Sequence, residues 1–251
     1  MKYDKMFSRN IGFLTEEEQA KISQLSVGIA GAGGDGGLLA ERLVRFGVNR
    51  IILADPEVFE IENINRQFAA YTDTIGSNKA AAVANELRRI NPKAEIVTFE
   101  GVSRENVREF VSMADLIIDE IEFSIPSLSV MLAREARKQR KYVFMGANIG
   151  WGASSLCFAP DGMKFEEFFA YNEETKEIDA TRYAKQVPSY FDRGMLMDVL
   201  EGKISIPSIS SAVGLVASLL SSSIILFWTG KKNPRIVPEF LHYDMFELAE
   251  Y

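Results

Sequence analysis

Gly31, Gly33 and Gly36 stand at G-x-G-x-x-G spacing in the run "IAGAGGDGG", with Gly34 inside the same turn. Glycines so spaced permit a tight turn and close backbone approach. A helix opening behind them offers N–H donors and the positive end of its dipole to a phosphate. Asp55 closes the next apolar run, "RIILAD", where an acid would accept from a ribose hydroxyl. Beyond it, "DPEVFEIENINRQF" supplies Asn63, Asn65, Arg66 and Gln67, and "GSNKA" supplies Lys79. A dinucleotide's phosphates are served largely by backbone donors. A triphosphate carries more charge, and attack at its α-phosphorus develops still more, so arginine and lysine aimed at it are expected. The ordered set Asp55, Asn63, Arg66, Lys79 behind a glycine turn therefore points to ATP over NAD, which disfavours an NAD-dependent oxidoreductase.

These residues need a scaffold, and the pattern supplies one. "VGIAGAG", "RIILAD", "AEIVTFE", "DLIIDEIE" and "YVFMGANIG" are short apolar runs rich in β-branched residues, read as buried strands. Between them lie helical stretches. One carries Leu38, Leu39, Leu43 and Val44 on a single face, one runs through "GSNKAAAVANELRRINP" to a stop at Asn91-Pro92, and one is "SLSVMLAREARKQR". Thr15-x-x-Glu18 is a capping box for an earlier helix. Strands alternating with helices predict a Rossmann-like α/β fold: a doubly wound, mainly parallel sheet with helices on both faces.

Composition narrows the partners. The 251 residues carry a net charge of −7, which disfavours nucleic acid and anionic membrane surfaces as main partners. A single cysteine, Cys157, and a single histidine, His242, leave no disulfide pair and no set of zinc ligands. Cys157 in "SSLCFAP" alternates like a strand residue and reads as a packed apolar side chain. "MKYDKMFSRN" shows no apolar core of a signal peptide, so the expected compartment is the cytoplasm. Ile204 to Gly230 holds no charge and is long enough to span a bilayer. Its serines, Pro207 and the small residues Gly214, Ala217, Ser218 and Ser221 at helical spacing predict a buried core or interface helix instead.

The run G-A-G-G-D-G, then "DPEVFEIENINRQF" and "GSNK", closely resembles the ThiF/MoeB/HesA family and the adenylation domains of ubiquitin-activating enzymes. The resemblance starts at "FSRNIGF", continues through "DLIIDEIEF" and "MGANIGWGAS", and resumes at "IPSISSAVGLVASLLSSSIILFWTG" and "LHYDMF". It implies one adenylation domain over 1–251: a nucleotide-binding core over 1–157, an excursion or acceptor segment over 158–203, and a late helix and antiparallel final strand over 204–251. It also implies activation of a carboxylate by attack on the ATP α-phosphate, giving an acyl-adenylate and pyrophosphate. The carboxylate would be the C-terminus of a ubiquitin-like or sulfur-carrier protein, or of a peptide. Matched by position, Gly31, Gly33 and Gly36 would line the nucleotide and Asp55 would hold the ribose. Asn63, Arg66 and Lys79 would contact phosphates, and Arg9 would reach the neighbouring subunit's site in a homodimer.

The family's magnesium-binding acid corresponds to Glu122, in a Glu122-Phe123 pair where an Asp-Asn pair is usual. That departure leaves room for a nucleotide-binding regulatory or partner protein without turnover. The thioester-forming cysteine of some branches has no counterpart, and neither do the family's zinc cysteines. Aromatic residues in the excursion, namely Phe165, Phe168, Phe169, Tyr171, Tyr183, Tyr190 and Phe191, are candidates to cover a peptide tail or simply to pack their own loop.

Overall fold

Alternating β and α periodicity gives the expected alternating elements. A computed structural model describes residues 3–179, 182, 188–200 and 203–250. The chain forms α1 (Tyr3–Met6), α2 (Glu16–Gln24), β1 (Ser26–Ala30), α3 (Gly34–Phe46), β2 (Arg50–Ala54) and α4 (Lys79–Ile90). It continues with β3 (Glu95–Phe99), α5 (Val107–Ser112), β4 (Leu116–Asp119), α6 (Pro126–Lys138), β5 (Val143–Ile149) and β6 (Gly152–Phe158). Last come α7 (Phe165–Phe168), α8 (Arg193–Leu200), α9 (Ser210–Trp228), β7 (Leu241–Asp244) and β8 (Ala249–Glu250).

The strands make one eight-stranded sheet in the order β3-β2-β1-β4-β5-β6-β7-β8. β1 pairs in parallel with β2 and β4, β2 with β3, and β4 with β5. β6, β7 and β8 extend it antiparallel. This is the doubly wound fold with a late antiparallel extension. Strand order reverses between β1 and β4, so their carboxyl ends open the crevice where such sheets hold ligands.

Strand periodicity sends successive side chains to opposite faces. Ile51 and Leu53 join one core with Leu39, Leu43, Val83, Leu87, Val216 and Leu220 from α3, α4 and α9. Ile52 and Ala54 join the other with Phe110, Val130 and Leu132 from α5 and α6. Each fully buried Leu, Ile or Phe contributes about 1.5–3 kcal/mol, and both faces are covered. Phe165, Phe168 and Phe169 belong to this second core, where they pack around Phe158. They are core residues and not an exposed cover for a tail. Tyr183 lies outside the described residues.

Local chemistry sets the helix starts. Thr15 and Glu18 form the reciprocal capping box ahead of α2, worth about 1 kcal/mol. Asn78 caps α4 by accepting from Ala81 N at 3.0 Å. β4 is shorter than "DLIIDEIE" suggested. Ile121 N donates to Asp119 Oδ1 at 3.1 Å, and this local turn peels the chain off the sheet, leaving Glu122 in the loop beyond.

α9 is the one helix among the described residues long and apolar enough to cross a membrane. It lies against α3, β5 and β6, and Val213, Val216, Ala217, Leu220 and Ile224 are fully buried. Cys157, on β6, is buried too, and burial pushes its thiol far up from the ordinary range. A thiol in that state forms little thiolate at neutral pH.

Candidate active site

The glycine turn lies between the ends of β1 and β4. Gly31 adopts φ +98°, and a Cβ there would sit 2.2 Å from Glu120 O. At Gly36 a Cβ would sit 2.0 Å from Gly31 O. Both positions demand glycine because backbone passes against backbone. Gly33 is different: a Cβ there would meet nothing closer than Gln67 Nε2 at 3.7 Å. Gly33 is also the N-cap of α3, so the open face of the turn coincides with the unpaired N–H groups of the helix start. Gly34 serves packing, since its Cβ would come 3.3 Å from Val213 Cγ2 of α9.

Asp55, directly after β2, is buried and ties the turn down. Its Oδ2 accepts from Ala32 N at 2.7 Å and its Oδ1 from Glu57 N at 2.8 Å. Burial raises its carboxyl above the ordinary value, against the opposing effect of those two N–H groups and of Lys79. Each oxygen keeps a second lone pair for a hydroxyl donor. Lys79, the first residue of α4, has a side chain only 8% exposed, and its Nζ pairs with Glu57 Oε2 at 2.5 Å. Asn78 binds the carbonyls of Asp55 and Glu57 at 2.9 and 3.2 Å, so the helix start is fixed to the strand end.

Arg66 is close enough for its charge to act on Asp35. Its Nη1 donates to Glu62 O at 2.9 Å and to Asn65 Oδ1 at 2.8 Å. Asn63 is buried, and its Oδ1 accepts from Glu60 N at 3.0 Å while its own backbone N–H donates to the Glu60 side chain. Its oxygen is therefore used in shaping the loop, which leaves the amide donors as the part suited to a phosphate.

One assigned residue lies apart. Arg9 is exposed in a 3-10 turn. The adjacent Asn10 donates to Phe46 O, at the far end of α3 from the glycines. The 13 residues of α3 put about 20 Å between that end and the turn at ~1.5 Å per residue. Glu122 is exposed and accepts from Ser124 Oγ at 3.1 Å, while Phe123 packs edge-on to Phe169. Among the described residues no group of His, Cys, Asp and Glu is arranged to hold a metal by itself. Mg²⁺ keeps several waters and takes phosphate oxygens, so a single carboxylate such as Glu122 could suffice where a triphosphate is bound.

Sequence reading gave no role to Asp35 or Glu120. Asp35, in the first turn of α3, accepts from Asn148 Nδ2 at 2.8 Å, and its other oxygen is buried without a partner. Glu120 accepts from Gly146 N at 2.9 Å. Burial pushes Asp35 up to about 7. Burial, and then the neighbouring Asp35, hold Glu120 well above the carboxylate range. The signal available in sequence was an aspartate inside the glycine turn itself.

Stability should follow from these shifts. Asp35 and Asp119, the latter raised to about 6 by burial, keep their protons when folded at pH values where the unfolded chain has lost them. Their contribution is full below about pH 4 and is lost as pH rises through 6 and 7. Melting temperature should fall between pH 5 and pH 8. Asp35→Asn should raise it at pH 8 by roughly 2–4 °C per kcal/mol recovered, with little change at pH 5. A melting series in which Asp35→Asn tracks the parent at every pH would refute this.

A mostly parallel sheet with a glycine turn at its switch point places the chain among the doubly wound α/β proteins that hold nucleotides at their strand ends. Within that class it is a member of the ThiF family, whose family model matches residues 7–250, and so shares the adenylation fold of MoeB and ubiquitin-activating enzymes. It is 34% identical over 115 residues to the tRNA threonylcarbamoyladenosine dehydratase of Bacillus subtilis strain 168, covering 45% of each chain. It is 32% identical over 104 residues to the SAMP-activating enzyme E1 of Haloferax volcanii, covering 41% of this chain and 38% of the other. The matched part is thus less than half the length of these relatives. Among solved structures, PaaA aligns with a TM-score of 0.73 at 18% identity, over 99% of this chain and 72% of PaaA. E. coli MccB with ATP aligns with a TM-score of 0.72 at 16% identity, over 93% and 65%. At those identities the likeness is one of fold.

Proposed function

We propose that this chain binds Mg-ATP in the glycine turn and adenylates a carboxylate, releasing pyrophosphate. The observation that carries the reading is a pair of cations whose charges act on the two carboxyl groups at the glycine turn, Asp55 and Asp35. Lys79 is buried beside Asp55, and Arg66 lies toward Asp35. In this reading Asp55 accepts from the ribose, and the α3 N-terminus with the Asn63 amide donors takes phosphate oxygens. Arg66 and Lys79 stabilise the charge that develops as the substrate carboxylate oxygen bonds to the α-phosphorus and the bond to pyrophosphate breaks. In this reading Glu122 would hold magnesium, which would neutralise phosphate charge.

The substrate proposed is the C-terminal carboxylate of a ubiquitin-like or sulfur-carrier protein, or of a peptide. Names among the relatives include one acting on a tRNA nucleoside and one activating SAMP, so membership alone leaves this choice to experiment. Tyr190 and Phe191 stand at the β5–β6 turn, where Tyr190 Oη accepts from Trp151 N at 2.7 Å and donates to Asp244 Oδ2 at 2.8 Å. With the Phe246 ring tilted against Tyr190 at 4.7 Å and 59% exposed, they offer an apolar wall to a chain terminus.

The deciding experiment is calorimetry with Mg-ATP and with NAD, followed by ATP–pyrophosphate exchange with partners captured in the presence of ATP. Tighter binding of NAD than of ATP would sink the reading. ATP binding with no exchange for any captured partner would favour the second reading, a nucleotide-binding regulator. That alternative draws on the exposed Glu122 and its apolar neighbour Phe123.

We also propose a cytoplasmic homodimer in which Arg9 serves the partner's site, because α3 separates it from the turn of its own chain. Mixing Arg9→Ala with Asp55→Ala subunits should then restore one working site per heterodimer. A fully active monomer in light scattering would remove this part.

A further inference from the structure

Four hydrogen bonds join Arg66 to Asp35, and all of them point the same way. Arg66 Nη1 donates to Asn65 Oδ1 at 2.8 Å, and Asn65 Nδ2 donates to the Ser208 carbonyl at 3.0 Å. Ser208 Oγ donates to Asn148 Oδ1 at 2.9 Å, and Asn148 Nδ2 donates to Asp35 Oδ2 at 2.8 Å. The series begins at a guanidinium and ends at a carboxyl group, and each link donates toward the next. Such a series strengthens each bond. The amides at Asn65 and Asn148 pass no proton, and Ser208 enters by its carbonyl on one side and its hydroxyl on the other. The connection is therefore a mechanical one.

It also joins parts of the chain that nothing else in sequence brings together. Asn65 lies in the loop after β2, Ser208 just ahead of α9, Asn148 near the end of β5, and Asp35 in the glycine turn. Residues 203–207 are all exposed and Ser208 is half-buried, so the two bonds of Ser208 fasten this stretch to the carboxyl end of the sheet. Arg66 would otherwise be a long side chain held only by Glu62 O within its own loop.

We infer that Ser208 and Asn148 are positioning residues for Arg66, holding its guanidinium beside the glycine turn by way of Asn65. The inference rests on the reading that Arg66 contacts the nucleotide's phosphates. It makes Ser208, just ahead of α9, part of the support of the nucleotide site.

The test uses the full chain, with Mg-ATP affinity by calorimetry and melting temperature measured side by side. Ser208→Ala and Asn148→Ala should each weaken ATP roughly three- to tenfold, the range of one hydrogen bond. Ser208→Thr, which keeps the hydroxyl, should restore most of the loss. In an Arg66→Ala background Ser208→Ala should have no further effect on ATP affinity, because the group it positions is gone. A merely structural role would lower the melting temperature and weaken ATP equally in both backgrounds, and that result overturns the inference. Asn65→Ala breaks the same connection at an exposed residue, and it must weaken ATP as well; if it does not, the inference falls, even where Ser208→Ala folds poorly. Should Arg66→Ala leave ATP affinity unchanged, the phosphate role of Arg66 fails and the positioning role with it. Should Arg66→Ala weaken ATP while the Ser208 and Asn148 variants do not, only the positioning role is overturned.

Discussion

Gly36→Ala should lose both fold stability and ATP binding, whereas Gly33→Ala should lose ATP binding alone. At Gly36 the added methyl would lie 2.0 Å from Gly31 O and 3.2 Å from Ile29 Cγ2. The first neighbour is backbone in a turn that Asp55 already pins through Ala32, so it cannot swing aside like a side chain. Overpacking of this kind costs about 1–3 kcal/mol and occasionally more, and opening the turn removes the phosphate cradle. We expect ATP affinity to fall at least about 100-fold, a loss of ~2.7 kcal/mol or more. At Gly33 φ is −73°, outside the left-handed region that demands glycine, and the methyl would stand in ordinary contact with the Gln67 side chain, no closer than 3.7 Å. Its melting temperature should stay within about a degree of the parent's, since a change within ±0.5 kcal/mol is usual where nothing is displaced. The methyl nonetheless occupies the approach a phosphate needs. Equal ATP affinity in Gly33→Ala and the parent would show that the nucleotide does not lie against this face.

Lys79→Ala should lower turnover about 10²–10³-fold while weakening ATP less than tenfold, the pattern of a group whose interaction grows in the transition state. The lysine is held in a nearly closed position by Glu57, itself half exposed, and in the variant buried Asp55 keeps the N–H groups of Ala32 and Glu57. Lys79→Arg should rescue poorly, because a planar fork does not fit a site shaped for a compact ammonium. Pyrophosphate exchange with the cognate carboxylate, beside calorimetry, separates the two effects. A rate unchanged in Lys79→Ala would remove this residue from the site.

Much of this molecule was legible in its sequence because it depends on local rules. The short apolar runs "VGIAGAG" and "RIILAD" become strands β1 and β2, the first half of "DLIIDEIE" becomes β4, and the Thr15–Glu18 box starts α2. Alternation of strand and helix, with the handedness of crossovers, leaves little freedom in the order of the parallel strands. The glycine spacing marked the turn, since only glycine tolerates Gly31's positive φ and the backbone contact at Gly36. Residues near one another in sequence, such as Asp55 with Glu57 and Asn78 with Lys79, could be placed together at a strand end.

What the sequence could not give is any contact made across long separations. Asp35 meets Asn148 across 113 positions, Asn148 meets Ser208 across 60, and Ser208 meets Asn65 across 143. No spacing or period encodes such pairs, because they form only when the sheet is closed and α9 is laid on it. The same holds for Phe165, Phe168 and Phe169, whose aromatic character fits a tail cover or a core equally well until Phe158 is seen beneath them. It holds for Arg9, set at the far end of α3 by a hydrogen bond from its neighbour to Phe46. The chain's local chemistry determined the elements and the turn. Tertiary packing alone decided which polar side chains are shut away from water, and burial raised Asp35 and Glu120 far above their ordinary values.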